Sequence, residues 1–326
     1  MNYRQLKQDA AAAVEREPKT KELVLIYAGV LIAASLLVTA LNFCLDEAMS
    51  SLGGLSNIGA RSLLSTVQTL LPLAQSLALM CMEVGFLNGI LRTVRGQFVS
   101  RNSLRLGFDR FWPLLRLMLL EGLLYFVVSF GCSYLAVLLF LMTPFSSDAM
   151  AISEYAMNSP GGAMVMDEAV QMEFLASMAP MLPLLLVLLA VFLVPLTYQL
   201  RMAPYVLIDK PALGARGAMR QSRMMMRGNC RKVFVLDLSF WWYHLLCFAA
   251  TALAYGDLLL PLLGVSLPLS ATVSYFLFYI LYLAVQFVIY RLFLCRVTAA
   301  YALTYDVIRP KDPPTQGVVL GNIFQM

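Results

Sequence analysis

The stretch Arg216–Trp242, RGAMRQSRMMMRGNCRKVFVLDLSFWW, decides the fold class, because a basic segment turns there directly into an apolar one. Arg216, Arg220, Arg223 and Arg227 are spaced by four, three and four, and about 3.6 residues per turn puts all four on one helical face. Gly214, Ala218, Ser222 and Met225 fall on the opposite face. Such a helix cannot cross a bilayer. It can lie along one, with guanidinium groups among lipid phosphates and small residues against protein. The residues that follow begin a hydrophobic run holding one carboxylate, Asp237.

The rest of the chain has the same character. It is 60% hydrophobic and 13% charged, with mean hydropathy +0.75, whereas soluble domains are about a quarter charged. The apolar residues come in runs of bilayer length, so the expected class is an all-α polytopic membrane protein. The net charge of +5 is read through its placement, since Lys and Arg sort to one side of a membrane. Nucleic acid is not implied.

In chain order, Tyr3, Leu6, Ala10, Ala13 and Val14 share a helical face, so the amino-terminal segment reads as a short interfacial helix closed by Pro18. Uncharged or nearly uncharged runs follow at Leu23–Leu41, Leu63–Leu91, Leu114–Met142, Ala179–Leu200, Val233–Leu253 and Ser270–Tyr290. Each is long enough to cross about 30 Å of hydrocarbon, which predicts six transmembrane helices. Residues 258–269, LLLPLLGVSLPL, are apolar but short and broken by prolines, as an interfacial or re-entrant piece would be. Residues 143–178 hold five acids and no base and read as an extracytoplasmic loop; residues 309–326 read as a flexible cytoplasmic tail.

Placing both termini in the cytoplasm puts 23 of the 24 Lys and Arg residues inside and leaves only Arg61 outside. The layout then becomes three hairpins in a single membrane domain, 1–326, each preceded by a cytoplasmic amphipathic in-plane helix. The repeat units run over about 1–95, 96–210 and 211–308. RLMLLE, Arg116–Glu121, aligns with KVFVLD, Lys232–Asp237, a base and an acid five apart in each. The first unit lacks the acid.

Polar residues inside the spans mark candidate sites, because an unpaired charge there costs several kcal/mol. Glu121 and Asp237 lie close enough to their basic neighbours to pair or snorkel, which favours an anchoring role. Glu83 sits about 13 Å in from Arg92, with Asn88 a little over one turn later, and is the better candidate for handling a proton or cation. His244, the chain's only histidine, lies seven residues after Asp237 and so on the same face of one continuous helix. The six cysteines form no C-x-x-C pair, and H-E-x-x-H, G-x-S-x-G and the P-loop pattern are missing. No catalytic residue, metal or cofactor is therefore expected.

A further pattern lies in Met202–Tyr243: Asp209 and Pro211, then Ser222, Arg223, Met226, Gly228 and Asn229, then Leu236–Phe240 and a tryptophan, Trp241 or Trp242. This region resembles the bacterial integral membrane family catalogued as domain of unknown function nine-seven-five. The resemblance implies a multi-pass protein of the bacterial cytoplasmic membrane with no established activity. Taken with the charge pattern, the expectation is a non-enzymatic protein whose basic cytoplasmic face binds anionic phospholipid or a membrane-protein partner, with homo-oligomerisation open, in an envelope-related or transport-accessory role. Arg216, Arg220, Arg223 and Arg227 are the expected headgroup ligands. An ion or small-molecule transporter using Glu83 and Asp237 is the alternative, and a membrane-embedded enzyme the third.

Overall fold

The computed structural model of the chain describes residues 2–52, 58–147, 150–151, 176–262 and 270–309. Those residues are almost entirely helical, with no strand among them. In chain order the elements are α1 (Tyr3–Arg16), α2 (Lys19–Ser51), α3 (Ile58–Val94), a 3₁₀ turn (Arg101–Arg105), α4 (Leu106–Asp109) and α5 (Phe111–Leu141). Then come α6 (Met181–Leu200), α7 (Ala203–Asp209), α8 (Gly214–Met226), α9 (Cys230–Ser239), α10 (Trp241–Ala254) and α11 (Gly256–Leu262). The described chain closes with α12 (Ala271–Ile289), a π-helical turn (Tyr290–Leu294) and α13 (Cys295–Ile308). Most of the acidic loop, most of 258–269 and nearly all of the tail lie outside the described residues.

Five helices are long and apolar enough to cross a membrane, and six if α9 and α10 together form one bent span. The protein is thus all-α and multi-pass by the length and apolarity of its helices. Their outer surfaces suit hydrocarbon: on α5, Leu119, Phe126, Phe130 and Tyr134 are 61–65% exposed. Water would penalise such a surface; lipid does not.

The chain forms two compact units, one from residues 1–115, 204–213 and 231–326, the other from 116–203 and 214–230. In the first, α2 packs along α3, α13 on α3, and α1 on α13. Leu23, Ile90, Leu91, Val206, Leu207, Leu236 and Tyr305 are nearly fully buried there. Thr20 and Thr93 share a buried hydroxyl hydrogen bond of 2.8 Å. Glycine decides how closely α3 is approached. A Cβ on Gly107 would overlap the Cys81 carbonyl, and one on Gly85 the backbone of Leu104. In the G-x-x-x-G spacing of α3, Gly85 therefore admits the segment 101–109, and Gly89 admits Leu23 of α2 and Ser103. In the second unit α8 packs against α6, and Ser222 Oγ donates to the Gln199 carbonyl at 2.7 Å.

Candidate functional site

Arg216, Arg220 and Arg223 are on α8 and Arg227 is in the turn just past its end, and all four are exposed. Ala215, Ala218, Met219, Ser222, Met225 and Met226 are buried in the same helix. Gly214 has φ +64, a left-handed conformation that glycine adopts without strain, and it begins the helix after the 3₁₀ turn Pro211–Leu213. Arg216, Arg220 and Arg223, with Met219 and Met224, form one wall of a cleft of about 430 Å³. Leu120, Leu123 and Leu124 of α5 form the other. Arg227 lies outside the cleft lining. A guanidinium fork matches phosphate oxygens bidentately, and leucine and methionine suit an acyl chain, so the cleft offers both halves of a phospholipid a matching surface.

The intramembrane candidates do not come together. Glu83 is exposed on α3, within electrostatic reach of Tyr27 and Tyr290, and lines neither this cleft nor the aromatic cleft described below. Asn88, on the same helix, is only 6% exposed. Glu121 on α5 is half-buried, and its Oε1 is buried without a hydrogen-bond partner among the described residues; Arg116 at the start of the helix is exposed.

Asp237 and His244 require a correction. Seven residues would align them on one helix, but the chain bends by 63° between α9 and α10, so the shared face does not exist. Phe240 leaves helical geometry at φ −107, ψ 19 with no proline or glycine involved. Lys7 caps the bend: its Nζ donates to the Ser239 carbonyl at 2.7 Å and lies 4.3 Å from the Phe240 ring centroid. Asp237 accepts a hydrogen bond from Tyr301 Oη. His244 is exposed beside Tyr243.

A charged cluster that sequence reading does not assemble holds three helix ends together in the first unit. Arg95, just past α3, reaches Asp209 at the end of α7 through both Nη atoms, at 2.7 and 2.8 Å. It also donates to Asp306 of α13 at 2.7 and 3.1 Å. Tyr305 Oη and Arg309 Nη1 each donate to Asp209 at 2.9 Å. Two guanidinium groups thus balance two carboxylates. Hydrogen bonds donated to Asp209 and then Asp306 hold the Arg95 guanidinium above its already high ordinary value, so its charge is permanent. The only local sign of this cluster is Asp209 in its Asp-x-Pro step; its partners lie 114 and 96 residues away in Arg95 and Tyr305.

Among the described residues no three His, Cys, Asp or Glu side chains gather as a metal site would require. Comparison with family profiles gives a match over residues 14–301 to a protein of unknown function, DUF975. The chain belongs to the DUF975 family. The match takes in all of the second compact unit, most of the first and all of α2 through α12, so the arginine stripe and the Arg95 cluster's Arg95 and Asp209 lie inside the family region. Neither the search of curated proteins nor that of solved structures found a match.

Proposed function

We propose that this DUF975 member is a non-enzymatic membrane protein that binds anionic phospholipid through the arginine stripe of α8, at the cytoplasmic face of a bacterial cell membrane, in an envelope-related or transport-accessory role. The observation that carries this reading is the division of α8. Arg216, Arg220 and Arg223, with Arg227 just past the helix end, are exposed while Ala215, Ala218, Ser222, Met225 and Met226 are buried, so the helix has a protein side and a charged side. The leucine wall of α5 beside three of those arginines favours lipid over a soluble anion. Both termini are assigned to the cytoplasm because that placement sets 23 of 24 basic residues inside.

The test is lipid enrichment around the full-length protein purified from mixed bilayers of phosphatidylglycerol and phosphatidylcholine. Replacing Arg216, Arg220, Arg223 and Arg227 with Gln removes about 1 kcal/mol of attraction per cation near the surface, and the phosphatidylglycerol excess should fall severalfold. An unchanged excess in a protein of normal thermal stability would remove the lipid role.

A further inference from the structure

A second cleft, of about 390 Å³, lies in the first compact unit at the α9–α10 bend. Its walls come from three places. Arg4, Lys7 and Gln8 descend from α1, Phe240 and Trp242 from the bend, and Phe293 from the π-helical turn, with Arg296 one turn further into α13. Both irregular pieces of helix in this region therefore border one space, and π turns inside α-helices concentrate at functional sites. Trp242 stands edge-on to Phe293 with centroids 4.7 Å apart, which fixes the aromatic wall. Lys7 uses one of its three donors on the Ser239 carbonyl, leaving two free in number for an oxygen-rich ligand. Glu15 meets Arg296 at 3.4 Å on an exposed surface.

We infer that this cleft is a discrete site for one anionic phospholipid, its phosphate held by Arg4, Lys7 and Arg296 and its acyl chain laid against Trp242 and Phe293. Three cations among the lining residues, Arg4, Lys7 and Arg296, suit an anion. Aromatic rings beside them are the side chains that settle at the headgroup level of a bilayer, and a free anion would leave them unused. Because Lys7 also satisfies the bend, an occupied cleft keeps α1 and the α9–α10 junction together. The site is separate in sequence and in compact unit from the α8 stripe and does not rest on it.

The test uses Trp242 as reporter in the full-length Trp112→Phe/Trp241→Phe protein, reconstituted in phosphatidylcholine with rising amounts of phosphatidylglycerol brominated on its acyl chains. Quenching should saturate at a low fraction of brominated phosphatidylglycerol and simply follow mole fraction for brominated phosphatidylcholine. Arg4→Gln/Arg296→Gln should move the half-point by about thirtyfold, the worth of two cations beside an anionic headgroup. Arg4→Lys/Arg296→Lys should restore it, which separates loss of charge from misfolding. The four-arginine stripe variant should leave the curve in place, so this site and the α8 reading fail independently. The same dependence for both lipids, indifference to the Gln pair, or loss in the stripe variant would overturn the site; displacement by soluble glycerol phosphate at matching concentrations would show a free-phosphate site instead and overturn the lipid assignment.

Discussion

Arg95 works as a fork with two carboxylates on it. Asp209 is 12% and Asp306 22% exposed at the side chain, and without the guanidinium between them the two carboxylates would share Arg309 alone. Removing one partner from a fully buried ion pair costs about 3–5 kcal/mol. The cluster is partly open to solvent, so Arg95→Ala should destabilise the protein by about 2 kcal/mol, read as thermal unfolding in neutral detergent. Arg95→Lys should recover little, because a single ammonium cannot reach both acids with paired hydrogen bonds. Asp209→Asn on the Arg95→Ala background should add less than it does alone, since both changes break one network. An unaffected unfolding midpoint in Arg95→Ala would show that the contacts carry no stability. At this scale the sequence exposes residue types but not partners: Glu83, Asn88, Glu121, Asp237 and His244 stand out because polar groups in apolar runs are costly, whereas Arg95 looks like one more base in a basic segment.

Among the elements, α3 and the bend between α9 and α10 show how differently two departures from simple helix packing arise. The close approach to α3 is built from side-chain absence. Gly107→Ala should therefore force backbone apart and cost about 3 kcal/mol, or prevent accumulation of folded protein. Gly122→Ala on α5, where a Cβ meets nothing within 4 Å, should be neutral or slightly stabilising. Comparing the two by thermal unfolding checks the packing directly: equal effects would contradict the close crossing. The glycine spacing on α3 was legible in principle, since G-x-x-x-G is a local pattern. The bend was not. VFVLDLSFWWYHLL contains no helix breaker, and its periodicity predicts an unbroken span. At the break Lys7, 232 residues away, donates a hydrogen bond to the Ser239 carbonyl.

The whole molecule interleaves its segments: residues 204–213 join the first compact unit while the stretches on either side, 116–203 and 214–230, form the second. The chain thus passes between units on either side of the Asp209 step. The charge distribution along the sequence makes a prediction at this scale. With both termini in the cytoplasm, as proposed, green fluorescent protein fused at either terminus should fluoresce in a bacterial host, and alkaline phosphatase fused there should be inactive. Active phosphatase at either end would reverse the orientation and move the arginine stripe to the wrong face for cytoplasmic lipid.

Helix class, multi-pass architecture and the one-sided arginines of α8 follow from the sequence by itself, because hydropathy over bilayer length and a period of about 3.6 are properties of neighbouring residues. Tertiary structure alone decided that Arg95 meets Asp209 and Asp306, that Asp237 faces Tyr301 rather than sharing a face with His244, and that α1 closes a basic, aromatic cleft on the bend. These are hydrogen bonds and packing between residues distant along the chain, and their geometry exists only once the helices have packed.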